Sequence, residues 1–274
     1  MNPLLVEEKI KMFLKEDIQY GDLSAALFND EEGTMTLLAK ESGIFCGAAV
    51  ITCGFNIMSP AAVQLLVHDG AHITCGQKIA VIHGRISDLL QAERTVLNLV
   101  QRMSGIATLT KQYVDAVEGR CRVTDTRKTT PGLGMFEKYA VRTAGGTNHR
   151  RSLNDGIMLK DNHIAYAGSI TEAVRRVERY KGHMDRLEIE IETAEMLDEA
   201  VQAGADVIMF DNCSPEMISE TITRVPAHIT TEASGGITLE TIGAYSQTGV
   251  DYISVGALFY AARALDLSAE VQNV

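Results

Sequence analysis

No Cys-x-x-Cys pair occurs in the sequence. The five cysteines, at 46, 53, 75, 121 and 213, are odd in number and scattered, which argues against a zinc site or a disulfide framework and for buried free thiols. No apolar run approaches the roughly 20 residues that a membrane helix needs, so no membrane partner is expected. The opening stretch MNPLLVEEKIKMFLKED has the pattern of an amphipathic helix with acids inside it. It lacks the basic start, apolar middle and small-residue cleavage site of a secretion signal, and the cytoplasm is the expected location. A basic surplus is lacking too. The formal net charge is -11, which argues against nucleic acid as a partner. No G-x-G-x-x-G turn follows the first strand of the parallel pattern described below, which weighs against a dinucleotide fold.

What is present is a 274-residue chain, 46% apolar and 22% charged, enough for one large folded domain or two modest ones. Its character changes near residue 105. Before that point a helix is followed by short strands, TMTLLAK, VQLLVH and KIAVIHG, with turns at His68-Asp69-Gly70 and Cys75-Gly76. GAHITCGQKIAVIHG has the rhythm of a hairpin. A long helix follows, SDLLQAERTVLNLVQRM, with a break expected at Ser104-Gly105.

Beyond the break, strands and helices alternate. CRVTDT, GIMLKDN, RLEIEIE, DVIMFDN, HITTEASGG and YISVGAL read as strands. Ser169, Thr193 and Ser214 are suited to cap the helices between them, with Pro215 in a first turn and Gly204 and Gly249 where helices should stop. Six such strands predict a parallel sheet, open or closed into a barrel.

In a parallel barrel, ligands bind at the carboxyl ends of the strands. Each predicted strand ends in polar residues: Asp125, Arg127 and Lys128; Lys160, Asp161, Asn162 and His163; Glu190 and Glu192; Asp211 and Asn212; Glu232, Ser234, Gly235 and Gly236; Ser254 and Gly256. Solvated loops would account for any one of these ends, but not for all six. Residues 120–163 hold nine Lys/Arg against four Asp/Glu in a chain of net charge -11. An anion site in an acidic body is expected, for carboxylates or phosphates. ASGGI and SVGAL put small residues where backbone N–H groups can meet a phosphate. Glu190 and Asp211 would face the same mouth, and paired carboxylates beside a phosphate suggest Mg²⁺. VIMFDN is a poor match to the usual phosphoribosyl diphosphate loop, an apolar strand ending in two acids.

Five segments are together similar to one family: ERTVLNLVQRMSGIAT (93–108), TDTRKTTPGLGMFEKYAVRTAGGTNHR (124–150), IMLKDNHI (157–164), ASGGI (233–237) and SVGAL (254–258). They resemble quinolinate phosphoribosyltransferase, the decarboxylating nicotinate-nucleotide pyrophosphorylase, over most of the chain. The resemblance implies an α/β fold, with an N-terminal α/β sandwich domain (1–104, joined by 262–274) and an incomplete, about six-stranded α/β barrel (105–261). It implies transfer from 5-phosphoribosyl 1-diphosphate to quinolinate with Mg²⁺, giving nicotinate mononucleotide, diphosphate and CO₂, in a homodimer. By motif, Arg127, Lys128, His149, Arg150 and Lys160 would line the quinolinate pocket, and Arg94 would enter from the neighbouring subunit. Glu190 and Asp211 would hold ribose hydroxyls and metal, and Ser234, Gly235 and Gly256 would sit at the phosphate end. Lys128, Glu190 and Asp211 are the expected catalytic residues. The alternatives are transfer to another anionic ring, or a non-catalytic anion-binding relative. The chain departs from the family pattern at Thr143-Ala144, Arg151-Ser152 and Phe259-Tyr260.

Overall fold

The structure is a computed structural model and describes residues 1–28 and 31–272, with the backbone alone at Gln272. In chain order the elements are α1 (Pro3–Ile18), a 3-10 turn (Ala25–Phe28), β1 (Glu32–Ala39), β2 (Gly43–Ile44), α2 (Ala48–Asn56), β3 (Ala62–Leu65), β4 (His72–Ile73), β5 (Lys78–Arg85) and α3 (Ile86–Ala116). Then come β6 (Arg122–Thr124), α4 (Gly134–Thr143), β7 (Ile157–Leu159), α5 (Asp161–Ala167), α6 (Ile170–Val177), β8 (Leu187–Ile191), α7 (Ala194–Ala203) and β9 (Val207–Asp211). The remainder is α8 (Pro215–Thr221), a 3-10 turn (Ile222–Arg224), β10 (Thr230–Ser234), α9 (Ile242–Ser246), β11 (Tyr252–Ser254), α10 (Ala257–Tyr260) and β12 (Leu267–Gln272).

Two compact units result. The first comprises residues 1–111, 130–145 and 261–274, and the second residues 112–129 and 146–260. Residues 130–145, which carry α4, fall in the first unit, although their place in the chain lies among the predicted barrel elements.

The first unit is built on a four-stranded antiparallel sheet, ordered β12-β1-β5-β3. Met35, Leu37 and Ala39 of β1 and Val6, Ile10 and Leu14 of α1 enter its core. Asn2 accepts from Leu4 N and Pro3 starts α1, a paired start signal that fixes where the helix begins. The expected hairpin over 70–84 does not form. β4 pairs with β2, while β5 pairs with β1 and β3. Nor does the long helix break at Ser104-Gly105: α3 runs unbroken for 31 residues. Ser104 is fully buried, and its hydroxyl accepts from Cys46 N. Gly105 is there because another backbone approaches it. A Cβ at this position would collide with the Arg263 carbonyl, 2.9 Å from its carbon.

The second unit carries the six expected strands, all parallel, in the order β6-β11-β10-β9-β8-β7. The consecutive strands β6 and β7 are the two edges, so the sheet is a barrel that lacks one pairing. The seam is partly filled by the segment after α4. Thr147 N donates to Val123 O at 2.8 Å and Asp125 N to Thr147 O at 3.2 Å. Ser169, Thr193 and Ser214 cap α6, α7 and α8 as their sequence positions predict, and Gly204 ends α7 in the left-handed conformation. α9 stops at Ser246, ahead of Gly249. α5 was not expected. Asp161, Asn162 and His163, which read as the end of a strand, form its first turn. Among the described residues no helix is long and apolar enough to cross a membrane. All five thiols are free, but only Cys46 and Cys213 are buried, and Cys75 is exposed, so the expectation of buried thiols holds for two of the five.

Candidate active site

The carboxyl ends of the parallel strands surround a cavity of about 760 Å³. It is built from the second unit alone. After β6, the Thr126 hydroxyl accepts from Lys128 N at 3.0 Å, turning the chain so that Arg127 and Lys128 both line the cavity. Arg150 comes from the seam segment and donates to Gly156 O at 3.1 Å. Lys160 stands at the end of β7 and is ion-paired to Glu190 on β8. Four cations from three separate segments therefore meet in one cavity. Burial and the nearby Arg127 guanidinium both lower the Arg150 pKa from its ordinary value. Such mutual repulsion is relieved when an anion binds.

Acidic groups line the same cavity, in part against these cations. Glu190 and Asp211 end neighbouring strands β8 and β9, and Asp161 and Glu192 also line the cavity. Burial raises the Glu190 carboxyl above the usual range, Lys160 opposes this, and the Asp211 charge raises it further. Two adjacent carboxylates are hard oxygen donors, too few to enclose an ion. They fit Mg²⁺, which completes its shell with water and substrate phosphate. Ser234, Gly235 and Gly236 close this end. Gly235 has φ +101° and Gly236 φ +59°, a pair of left-handed positions that glycine accepts without strain.

Of the remaining predicted residues, Gly256 is not in the cavity wall, but it permits the pose of Lys128. A Cβ there would lie 3.0 Å from Lys128 Cδ. Arg94 does not line this cavity. It is exposed on α3 in the first unit, beside a smaller cavity formed with Phe13, Asp17 and Leu133. The basic surplus of residues 120–163 is also only partly gathered. Arg120 pairs with Glu118, Lys138 is buried on α4, and Arg122 lies 5.9 Å from the Tyr252 ring centroid.

His149 lines the cavity, yet its ring is engaged within the protein. Arg150 N donates to His149 Nδ1 at 2.8 Å, so Nε2 carries the ring proton and donates to Glu188 Oε2 at 3.0 Å. Glu232 Oε1 lies 3.8 Å from the same nitrogen. The ligand atoms of His149, Glu188 and Glu232 lie within 4.8 Å of one another. A protonated ring nitrogen cannot coordinate a cation, however, so within the trio His149 is bonded to Glu188 alone, and Glu232 Oε1 lies buried beside them with no hydrogen-bond partner among the described residues. Buried Asp125 fixes the entrance to this trio, accepting from Asn148 Nδ2 at 2.6 Å and His149 N at 3.0 Å.

Reasoning from sequence missed Glu188 and read Glu232 as a strand end at the mouth, because in a strand buried on both faces alternation does not show which side is inside. It missed the apolar wall residues Met158 and Met209 for the same reason, and Ile164 and Met196 because they come from the helices α5 and α7 rather than from the strands.

Burial first, and the Glu188 carboxylate second, push Glu232 up to about 8, with His149 opposing. Its unfolded value is about 4.3. The folded chain therefore binds the extra proton between these values, and stability from this group is full below the unfolded pKa and lost as pH rises through the folded one. The neutral variant Glu232→Gln is expected to flatten the fall in stability between pH 5 and 8.5, on the order of 3 kcal/mol in the parent chain. Melting curves across that range check this. Parallel pH profiles for the two proteins would show an ordinary carboxyl.

With this geometry in place, comparison with known proteins decides the family. The family described as quinolinate phosphoribosyl transferase, N-terminal domain, matches residues 22–104, and its C-terminal domain matches residues 106–270. The chain belongs to the quinolinate phosphoribosyltransferase family. Within that family it is 50% identical, over 99% of its length and 95% of the relative's, to a probable nicotinate-nucleotide pyrophosphorylase (carboxylating) of Bacillus subtilis strain 168. It is 38% identical to the chloroplastic enzyme of the same name from Arabidopsis thaliana, over 96% of this chain and 82% of that one. Two solved quinolinate phosphoribosyltransferase-family structures superpose closely. NadC from Streptococcus pyogenes gives a TM-score of 0.95 at 39% identity, covering 99% of this chain and 98% of that one. The nicotinate-nucleotide pyrophosphorylase from Francisella tularensis gives 0.94 at 35% identity, with the same coverage. The predicted fold class, an incomplete α/β barrel joined to a unit with an antiparallel sheet, is the one observed.

Proposed function

We propose that the chain transfers the phosphoribosyl group of 5-phosphoribosyl 1-diphosphate to quinolinate and decarboxylates the product. Nicotinate mononucleotide, diphosphate and CO₂ result, as in de novo NAD synthesis. The observation that carries this reading is the meeting of Arg127, Lys128, Arg150 and Lys160 with Glu190 and Asp211 in one cavity. A dianion with two adjacent carboxylates needs several cations in a partly dry site, where charge interactions exceed those in water. Met158 and Met209 offer apolar surface to its ring.

The residues then divide the work by charge. The cations hold quinolinate with its ring nitrogen toward the sugar. Glu190 and Asp211 take the ribose hydroxyls and stabilise the positive charge that develops as diphosphate leaves. Ser234 and Gly235 belong to the phosphate end, and Gly256 acts only through the pose of Lys128. Glu190 and Asp211 would hold Mg²⁺, which would supply charge balance for the departing diphosphate. The ring nitrogen forms the new bond to the sugar carbon. The quaternised ring then accepts the electron pair left by CO₂, and a proton takes its place. No side-chain nucleophile is required, so positioning and neutralisation are the protein's contribution.

The same reading gives a cytoplasmic enzyme that works as a homodimer, with Arg94 of one copy completing the pocket of the other. Titration with quinolinate, following diphosphate and CO₂ together, tests the reaction. Equal release of both is expected with quinolinate, and no CO₂ with nicotinate. Binding without release of either product would favour an anion-binding relative, and comparable turnover of nicotinate would favour a different ring as substrate.

A further inference from the structure

Only three non-glycine residues have positive φ among the described residues: Gln19, Glu118 and Asn212. Gln19 and Glu118 follow the long helices α1 and α3, where such a turn ends the helix. Asn212, with φ 54°, ends no helix. It follows β9 directly and lines the cavity. Left-handed backbone costs an L-residue free energy and persists where surrounding contacts enforce it. Asparagine tolerates it best after glycine.

Two hydrogen bonds hold it here. Asn212 N donates to Ser234 O at 2.9 Å, which ties the end of β9 to the end of β10. Asn212 Nδ2 donates to Asp211 Oδ2 at 2.9 Å. Because a carboxylate only accepts, this bond fixes which side of the amide is nitrogen. The amide oxygen is therefore turned toward Gly235, where a Cβ would collide with it and would lie 2.7 Å from Asn212 N. The glycine of the loop after β10 is thus matched to the asparagine after β9. One amide spans the carboxylate expected to hold the sugar and the loop expected to hold its phosphate.

We propose that Asn212 is a positioning residue for the sugar diphosphate. It anchors one Asp211 oxygen, leaving the other to the ligand, and sets the Gly235 loop at the matching distance. The inference rests on the proposed reaction, but it concerns one substrate only: quinolinate lies among the cations and should not sense the change.

The variant that separates amide from backbone is Asn212→Gly, which accepts the left-handed turn and lacks the donor. Calorimetric titration with 5-phosphoribosyl 1-diphosphate in Mg²⁺, and separately with quinolinate, is the measurement. Asn212→Gly is expected to weaken the sugar diphosphate about tenfold, the weight of one charge-assisted hydrogen bond. Quinolinate affinity and the unfolding midpoint should not fall. Added to Asp211→Asn, the second change should produce little further loss, because both remove one unit. Unchanged affinity in Asn212→Gly, equal weakening toward both ligands, or fully additive losses would each overturn the positioning role. If the parent chain binds neither ligand, the proposed reaction itself fails, and that outcome is distinct from normal binding by both parent and variant.

Discussion

Lys128→Ala is expected to leave a folded protein whose turnover is lower by about a hundredfold or more. Lys128 is exposed, and its backbone is held by the Thr126 hydroxyl, so the side chain carries little of the fold. Its effect belongs to the reaction. If this cation contributes roughly 3 kcal/mol to the transition state, its loss costs about a hundredfold in rate. Arg150→Ala should behave similarly. It also loses the bond to Gly156 O, so its melting temperature is the less clean control. Steady-state kinetics beside a melting curve check both, and near-normal turnover in both variants would remove the pocket assignment. Arg94 extends the same experiment. An Arg94→Ala chain and a Lys128→Ala chain are each expected to be nearly inactive, yet their mixture should regain turnover through hybrid dimers with one intact site. No recovery, with exchange of subunits verified, would show that Arg94 does not serve a neighbour's pocket.

Gly105→Ala is expected to destabilise the chain by about 3 kcal/mol or more, although alanine is the better helix former by about 1 kcal/mol. The reason is the backbone that lies across α3. Leu265 N donates to Gln101 O at 3.0 Å, Gln101 Nε2 to Leu267 O at 2.8 Å, and Arg102 Nη1 to Ala262 O at 3.1 Å. These bonds hold residues 262–267 on both sides of the point where a Cβ would meet the Arg263 carbonyl, so neither chain can withdraw alone. Denaturant unfolding of the two proteins measures the difference. An equal or higher midpoint for the alanine variant would mean that the two segments part without loss.

Gly105 also shows where local reading stops. Its low helix propensity suggested a break, yet its place is dictated by a segment more than 150 residues later. The parallel strands were legible because apolar runs alternate with capped helices, and Ser169, Thr193 and Ser214 mark those helices unambiguously. Arg127, Lys128 and Lys160 were legible because they sit in strand-end positions of a net-positive stretch, whereas Arg150, in a loop of the same stretch, was named only through the family resemblance. Glu188 and Glu232 were not legible as interior groups, since a charged residue inside a strand reads as a rim position unless the curl of the sheet is known. The short helix α5 was hidden by its polar first turn, Asp161-Asn162-His163. Asn212 was named among the strand ends, but nothing in the order of residues announces its left-handed backbone.

The unpaired seam between β6 and β7 has a consequence for how the pocket can change shape. Thr147 bridges to Thr124 on one side, and two residues later the same strip delivers His149 and Arg150 to the interior. A fully closed ring would have to break a whole ladder to widen. This one is held there by a single bridge, and His149 and Arg150 ride on the segment that makes it, so a shift of that segment would move both at once.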